Sequence, residues 1–180
     1  VASNIAIPED VMLDTPLWRF AGKFWSRSGV LDACLELQAH QWSVTDLLCA
    51  LWLASEDRPF DGLTDPRILT WRSEVTQRLR QVRKAIPKGN PVTESTRHQV
   101  ASSELEAEKV ELALAYREIE SSGSQQTSSH QFKNGTAKSL ALRNLQSASP
   151  EKTMDTKTGT LLETLADELH NAISGECAPC

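Results

Sequence analysis

Six apolar residues, Ile68, Trp71, Val75, Leu79, Val82 and Ile86, recur at intervals of three and four along one stretch of the chain. Over about five turns that spacing puts them on one side of a helix, whereas a strand would scatter them over both faces. Thr64-Asp65-Pro66 supplies a cap and a first-turn proline, and Pro87 through Pro91 ends the run. A continuous amphipathic helix of this length needs a partner for its stripe, so the fold is expected to be built by helix packing.

The same period recurs on both sides of that stretch. Asp14 or Thr15 caps a first helix that carries Leu17, Phe20, Ala21 and Phe24 on one face and stops near Ser28-Gly29. A second helix is expected from Val30 to Trp42. Ser43-Val44-Thr45-Asp46 has capping-box spacing and opens a third, in which Leu47 to Ala54 is apolar almost all round. Such a helix belongs at the centre of a bundle. A fifth runs from about Gln99 to Glu120, with Ala101, Leu105, Leu112, Tyr116 and Ile119 on one face and Ala107, Val110 and Leu114 opposite.

Aromatic residues locate the packed region. All five tryptophans lie in the first 71 residues, and Phe132 is the one aromatic after Tyr116. Residues 121–135, SSGSQQTSSHQFKNG, have the composition of a flexible linker. Beyond them Leu140, Leu142 and Leu145 suggest at most a short helix. Leu162, Leu165, Ala166, Leu169 and Ile173 give an amphipathic helix over about 159–174, able to dock on its own bundle or on a partner. The expected fold is therefore all-α. A single small bundle of about five helices spans residues 12–120, and a largely disordered tail, 121–180, carries one or two short helices.

Four blocks in order, LWRFAGKFWSRSGVLDACLELQ, VTDLLCALWLA, WRSEVTQRLRQVRKAIP and ELEAEKVEL, resemble an uncharacterised proteobacterial family, domain of unknown function 2390. The resemblance covers about Leu17 to Glu120. The family pattern has Asn where this chain has Asp46, and a Tyr near Phe24-Trp25. The resemblance implies an all-helical bacterial protein with no established activity, and it carries over no catalytic residue.

Chemistry-bearing residues are few, and no set of them converges. Net charge is −5 and the isoelectric point is near 5.4, which argues against binding nucleic acid by bulk charge. No apolar run is long enough for a membrane span, and the N-terminus lacks the pattern of a secretory signal, so the cytoplasm is expected. Cys34 and Cys49 lie among leucines and alanines and read as core thiols. Cys177-Ala178-Pro179-Cys180 has the spacing of a zinc half-site, with His170 seven residues before it, but no second cysteine pair completes a ligand set. His98 and His130 have no paired carboxylate nearby in sequence. No metal and no cofactor is expected.

Two groups of residues stand out as candidate sites. Gln38 and Asp46 sit at the edges of apolar stretches. They read either as structural hydrogen-bonding groups or, with Arg19 and Asp32, as the lining of a polar pocket. The second group is the helix from Arg67 to Lys88, which holds seven basic residues and one acidic one. Arg72, Arg80, Arg83 and Lys84 flank its apolar stripe and could bind phosphates or an acidic protein surface. Against that, the next helix carries Glu104, Glu106, Glu108, Glu111, Glu118 and Glu120, and as an antiparallel neighbour it would neutralise the basic face from within. With no catalytic set, the expected function is that of a non-enzymatic interaction or regulatory protein with a protein partner. Nucleic-acid or ribosome association through residues 67–88 is the alternative.

Overall fold

The computed structural model describes residues 5–123, 137–150 and 155–175. Among them are eight α-helices and one π-helical turn, with no strand. The all-helical expectation holds. In order the helices are α1 (Pro16–Trp25), α2 (Val30–Ala39), α3 (Val44–Ser55), α4 (Pro66–Trp71), the π turn (Arg72–Thr76), α5 (Gln77–Ala85), α6 (Glu94–Gly123), α7 (Ala137–Ser147) and α8 (Thr156–Ser174).

Local chemistry accounts for the helix starts. The Thr15 hydroxyl accepts the Trp18 amide at 3.0 Å, and the Ser43 hydroxyl accepts that of Asp46 at 3.2 Å. The Asp65 carboxylate accepts the Arg67 amide at 2.8 Å just ahead of Pro66. Each side chain satisfies one of the amides that a helix leaves without an internal partner. Gly29 opens α2 at φ 77°, a left-handed conformation that a β-carbon disfavours.

Two compact units divide the chain at places that composition does not mark. Of the described residues, one takes 5–18 and 63–123; the other takes 19–62, 137–150 and 155–175.

In the second unit, α2, α3, α7 and α8 pack on one another. Leu47 to Ala54 of α3 are all buried, as a central helix requires. The helices that cover α3 come largely from the region expected to be a tail. Leu140, Ala141 and Leu145 of α7 and Leu162, Leu165, Ala166 and Leu169 of α8 are buried. One polar residue ties this cover down. Asn144 is 2% exposed, donates through Nδ2 to the carbonyls of Ala50 and Arg58 at 3.0 Å, and accepts the Phe60 amide at 3.0 Å. These three bonds all go to backbone, so it fixes the exit of α3 and the following loop against α7. Arg27–Glu168 at 2.9 Å, with Lys157–Glu36, sets α8 antiparallel to α2.

In the first unit, α4, the π turn and α5 form one long helix antiparallel to α6. The stripe read from Ile68 to Ile86 does not survive the π turn. Ile68 is fully buried, but Val82 is 51% exposed and α5 has no buried residue. The i→i+5 bonds of the π turn add one residue to a helical turn, which shifts the phase of everything after it by roughly 100°.

Removing side-chain volume from α8 tests how far the cover of α3 contributes to stability. Leu165→Ala is expected to cost about 2–5 kcal/mol, as for a buried leucine elsewhere. Urea denaturation followed by circular dichroism measures it; a change under about 0.5 kcal/mol would mean that α8 does not pack.

Candidate functional site

The phase shift at the π turn has a chemical consequence: it brings arginines, in place of valine, to face α6. Glu111 on α6 is 2% exposed and holds the turn with both carboxylate oxygens. Arg72 Nε donates to Oε1 at 2.7 Å and the Thr76 hydroxyl donates to Oε2 at 3.0 Å. The indole Nε1 of Trp71 donates to the Ala107 carbonyl at 2.9 Å. Past the turn, Arg80 bridges Glu104 at 2.8 Å and Glu108 at 2.5 Å. Arg83 pairs with Glu104 as well. At the end of α5, Arg97 reaches back from α6 to the carbonyls of Arg83 and Ile86, the second at 2.7 Å. Cations suit these unpaired carbonyls at a helix C-terminus.

This seam is charged and largely shut from water. Side-chain exposure is 17% for Arg72, 18% for Arg80 and 7% for Glu104. The two titrating carboxylates respond in opposite directions. Burial pushes the Glu104 carboxyl up, but the guanidiniums of Arg83 and Arg80 more than offset this and leave it below its usual range. Burial raises Glu108, Arg80 opposes that only in part, and the Glu104 charge adds to the rise, so it ends above. Glu104 has two guanidiniums and Glu108 one, and the charge of the first disfavours ionisation of the second.

Of the residues singled out from sequence, the structure gathers Arg72, Arg80 and Arg83 into this one seam. Lys84 stands apart, exposed on α5. The intramolecular alternative, an acidic neighbour neutralising the basic helix, describes what is found at those three arginines. Arg78 pairs on the surface with Glu74 at 2.5 Å. Gln38 and Asp46 are both half-buried, on α2 and α3, and Asp32 and Arg19 are exposed. Cys34 and Cys49 are buried and not joined in a disulfide. Burial pushes the Cys34 thiol up to about 12, far from the thiolate that reactivity needs. His98 is exposed beside Glu94 at 3.9 Å. His130 and the Cys177–Cys180 pair lie outside the described residues. Among the described residues no three His, Cys, Asp or Glu side chains are grouped to hold a metal ion, and no helix is long and apolar enough to cross a membrane.

Three contacts have no advance sign in the sequence. Oε1 of Glu118 accepts the Thr64 amide and hydroxyl, each at 2.8 Å, and the Asp65 amide at 3.1 Å, so α6 braces the cap of α4. Along the same helix Arg117 pairs with Asp10 at 2.7 Å, and Lys109 lies 5.3 Å from the centre of the Trp18 ring. Each depends on residues far apart in sequence, and no local motif announces it.

A family model described as Protein of unknown function (DUF2390) matches residues 16–114. No curated protein and no solved structure matches the chain.

Two outcomes test the site. Arg80→Ala takes from Glu108 the guanidinium it pairs with and leaves Glu104 with Arg83 alone, and is expected to cost about 2–4 kcal/mol, whereas Arg78→Ala on the surface costs under about 0.5 kcal/mol. Denaturant midpoints measure both. In the native protein near neutral pH, Cys34 is expected to resist iodoacetamide until the chain is unfolded; alkylation located by peptide mass would show the thiol to be accessible.

Proposed function

We propose, from the premise that the chain belongs to the DUF2390 family, that it is a non-enzymatic protein-interaction module which docks a partner on the outward face of α2. One observation carries this reading. Leu31 and Leu35 lie one helical turn apart and are 42% and 50% exposed, with exposed Ala39 continuing the row. The inward residues Val30, Ala33, Cys34 and Leu37 are buried, so this helix already has its core face and carries a second apolar row besides. Scattered exposed leucines are ordinary, but a row at i, i+4, i+8 is the pattern an amphipathic partner helix reads. The same reading puts the protein in a reducing, cytoplasmic compartment, supported by Cys34 and Cys49, which are buried and not joined in a disulfide.

The alternative, a nucleic-acid factor working through residues 67–88, has less support. Arg72, Arg80 and Arg83 are engaged by α6, and Arg78 by Glu74. Lys84 and Lys88 remain as exposed cations of that stretch.

Replacing Leu31 and Leu35 together by glutamate tests the reading. Affinity capture from cells that make the protein should recover a specific partner with the native chain and about ten-fold less with the double variant. Both changes are at exposed positions, so stability is expected to move by less than about 0.5 kcal/mol per site. Equal recovery at unchanged stability would remove α2 as the docking face.

A further inference from the structure

The two parts of the long helix in the first unit are attached to α6 by different means. Before the π turn, α4 is anchored by Ile68, which is fully buried, and by the Trp71 indole on the Ala107 carbonyl. After it, none of the residues of α5 is buried. Leu79 is only half-buried, and the polar attachments outnumber it: Arg80 on Glu104 and Glu108, Arg83 on Glu104, and Arg97 on the last carbonyls. A segment with few apolar contacts and many polar ones belongs to the least stable part of a fold and opens separately from the rest. Its attachments are also replaceable in kind, because any ligand with a row of anionic oxygens can take the place of the two carboxylates on the same guanidiniums. Arg78, Lys84 and Lys88 lie on the outer side of the same segment and are exposed. An incoming chain of phosphates therefore meets cations before it reaches the seam.

We infer that α5 is an arm latched by charge: an extended polyanion displaces Glu104 and Glu108 from Arg80 and Arg83 and lifts Gln77–Ala85 off α6, with the π turn as its root. The glutamates of α6 then act as an internal stand-in for the ligand, which makes the seam an autoinhibitory contact. This ligand is a separate matter from the partner of α2, and either can fail without the other.

Inorganic polyphosphate added to the full chain at low ionic strength is the probe. Amide exchange in Gln77–Ala85 is expected to quicken by about ten-fold, because a short helix without its support is marginal, while α4 and residues 111–115 keep their protection. Glu104→Gln with Glu108→Gln should bind polyphosphate about ten-fold tighter than Glu94→Gln with Glu106→Gln, which makes the same charge change at exposed positions of the same helix. Equal affinities of the two variants would show attraction by bulk charge alone and overturn the inference. Unchanged exchange of α5 in the native chain under saturating polyphosphate would overturn it too, and that measurement decides the matter if the Glu104/Glu108 variant fails to fold.

Discussion

The first unit depends on one buried carboxylate. Glu111 accepts from Arg72 with one oxygen and from Thr76 with the other, so the two ends of the π turn share a single anchor on α6. A π turn strains an otherwise regular helix and persists where specific contacts hold it. Here the contacts are charge-assisted and sheltered from water, which makes them among the stronger kind. The phase shift they maintain turns Val82 outward and Arg80 and Arg83 inward. With a regular helix instead, the stripe from Ile68 to Ile86 would have met α6 with its apolar side and left those arginines in solvent.

Such an arrangement carries a cost of its own. Burying ion pairs costs desolvation that a well-packed apolar seam avoids, and the Coulomb gain only offsets it when geometry is good. The second unit shows the apolar solution: α3 is covered on every side, and its one deeply buried polar neighbour, Asn144, has both ends of its amide satisfied. The contrast assigns different properties to the two units. An apolar core is held by packing without direction, whereas a seam of arginines and glutamates fixes one register through directional, charge-assisted bonds.

The helical class and the helix starts were legible because they rest on local chemistry. Ser43, Asp65 and Thr15 act as caps within three residues of the amides they bind. The all-round apolar run of α3 pointed to its central place by the same local logic, and the opposite signs of two neighbouring helices pointed to the seam. The π turn was not legible, since the apolar spacing from residue 68 to 86 suits an unbroken helix equally well. Nor was Asn144, a lone asparagine in a polar stretch, whose role depends on carbonyls more than 80 residues earlier. Gln38 and Asp46 stand beside apolar runs but are only half-buried, whereas Asn144 is the most deeply buried polar residue among the described residues of this unit.

The polar composition that made residues 121–180 read as a tail reflects the segments between helices, whereas α7 and α8 themselves bury a leucine or alanine at nearly every inward position. This bears on the family match, which ends at residue 114. Helix α3 lies inside the matched range, yet two of the helices that pack on it, α7 and α8, lie beyond its end. A chain stopped there would leave the apolar surface of Leu47 to Ala54 without those two partners, and an exposed surface of that kind drives association. The matched range therefore does not hold all the helices that pack on α3. Those helices extend as far as α8, whose last buried leucine is Leu169.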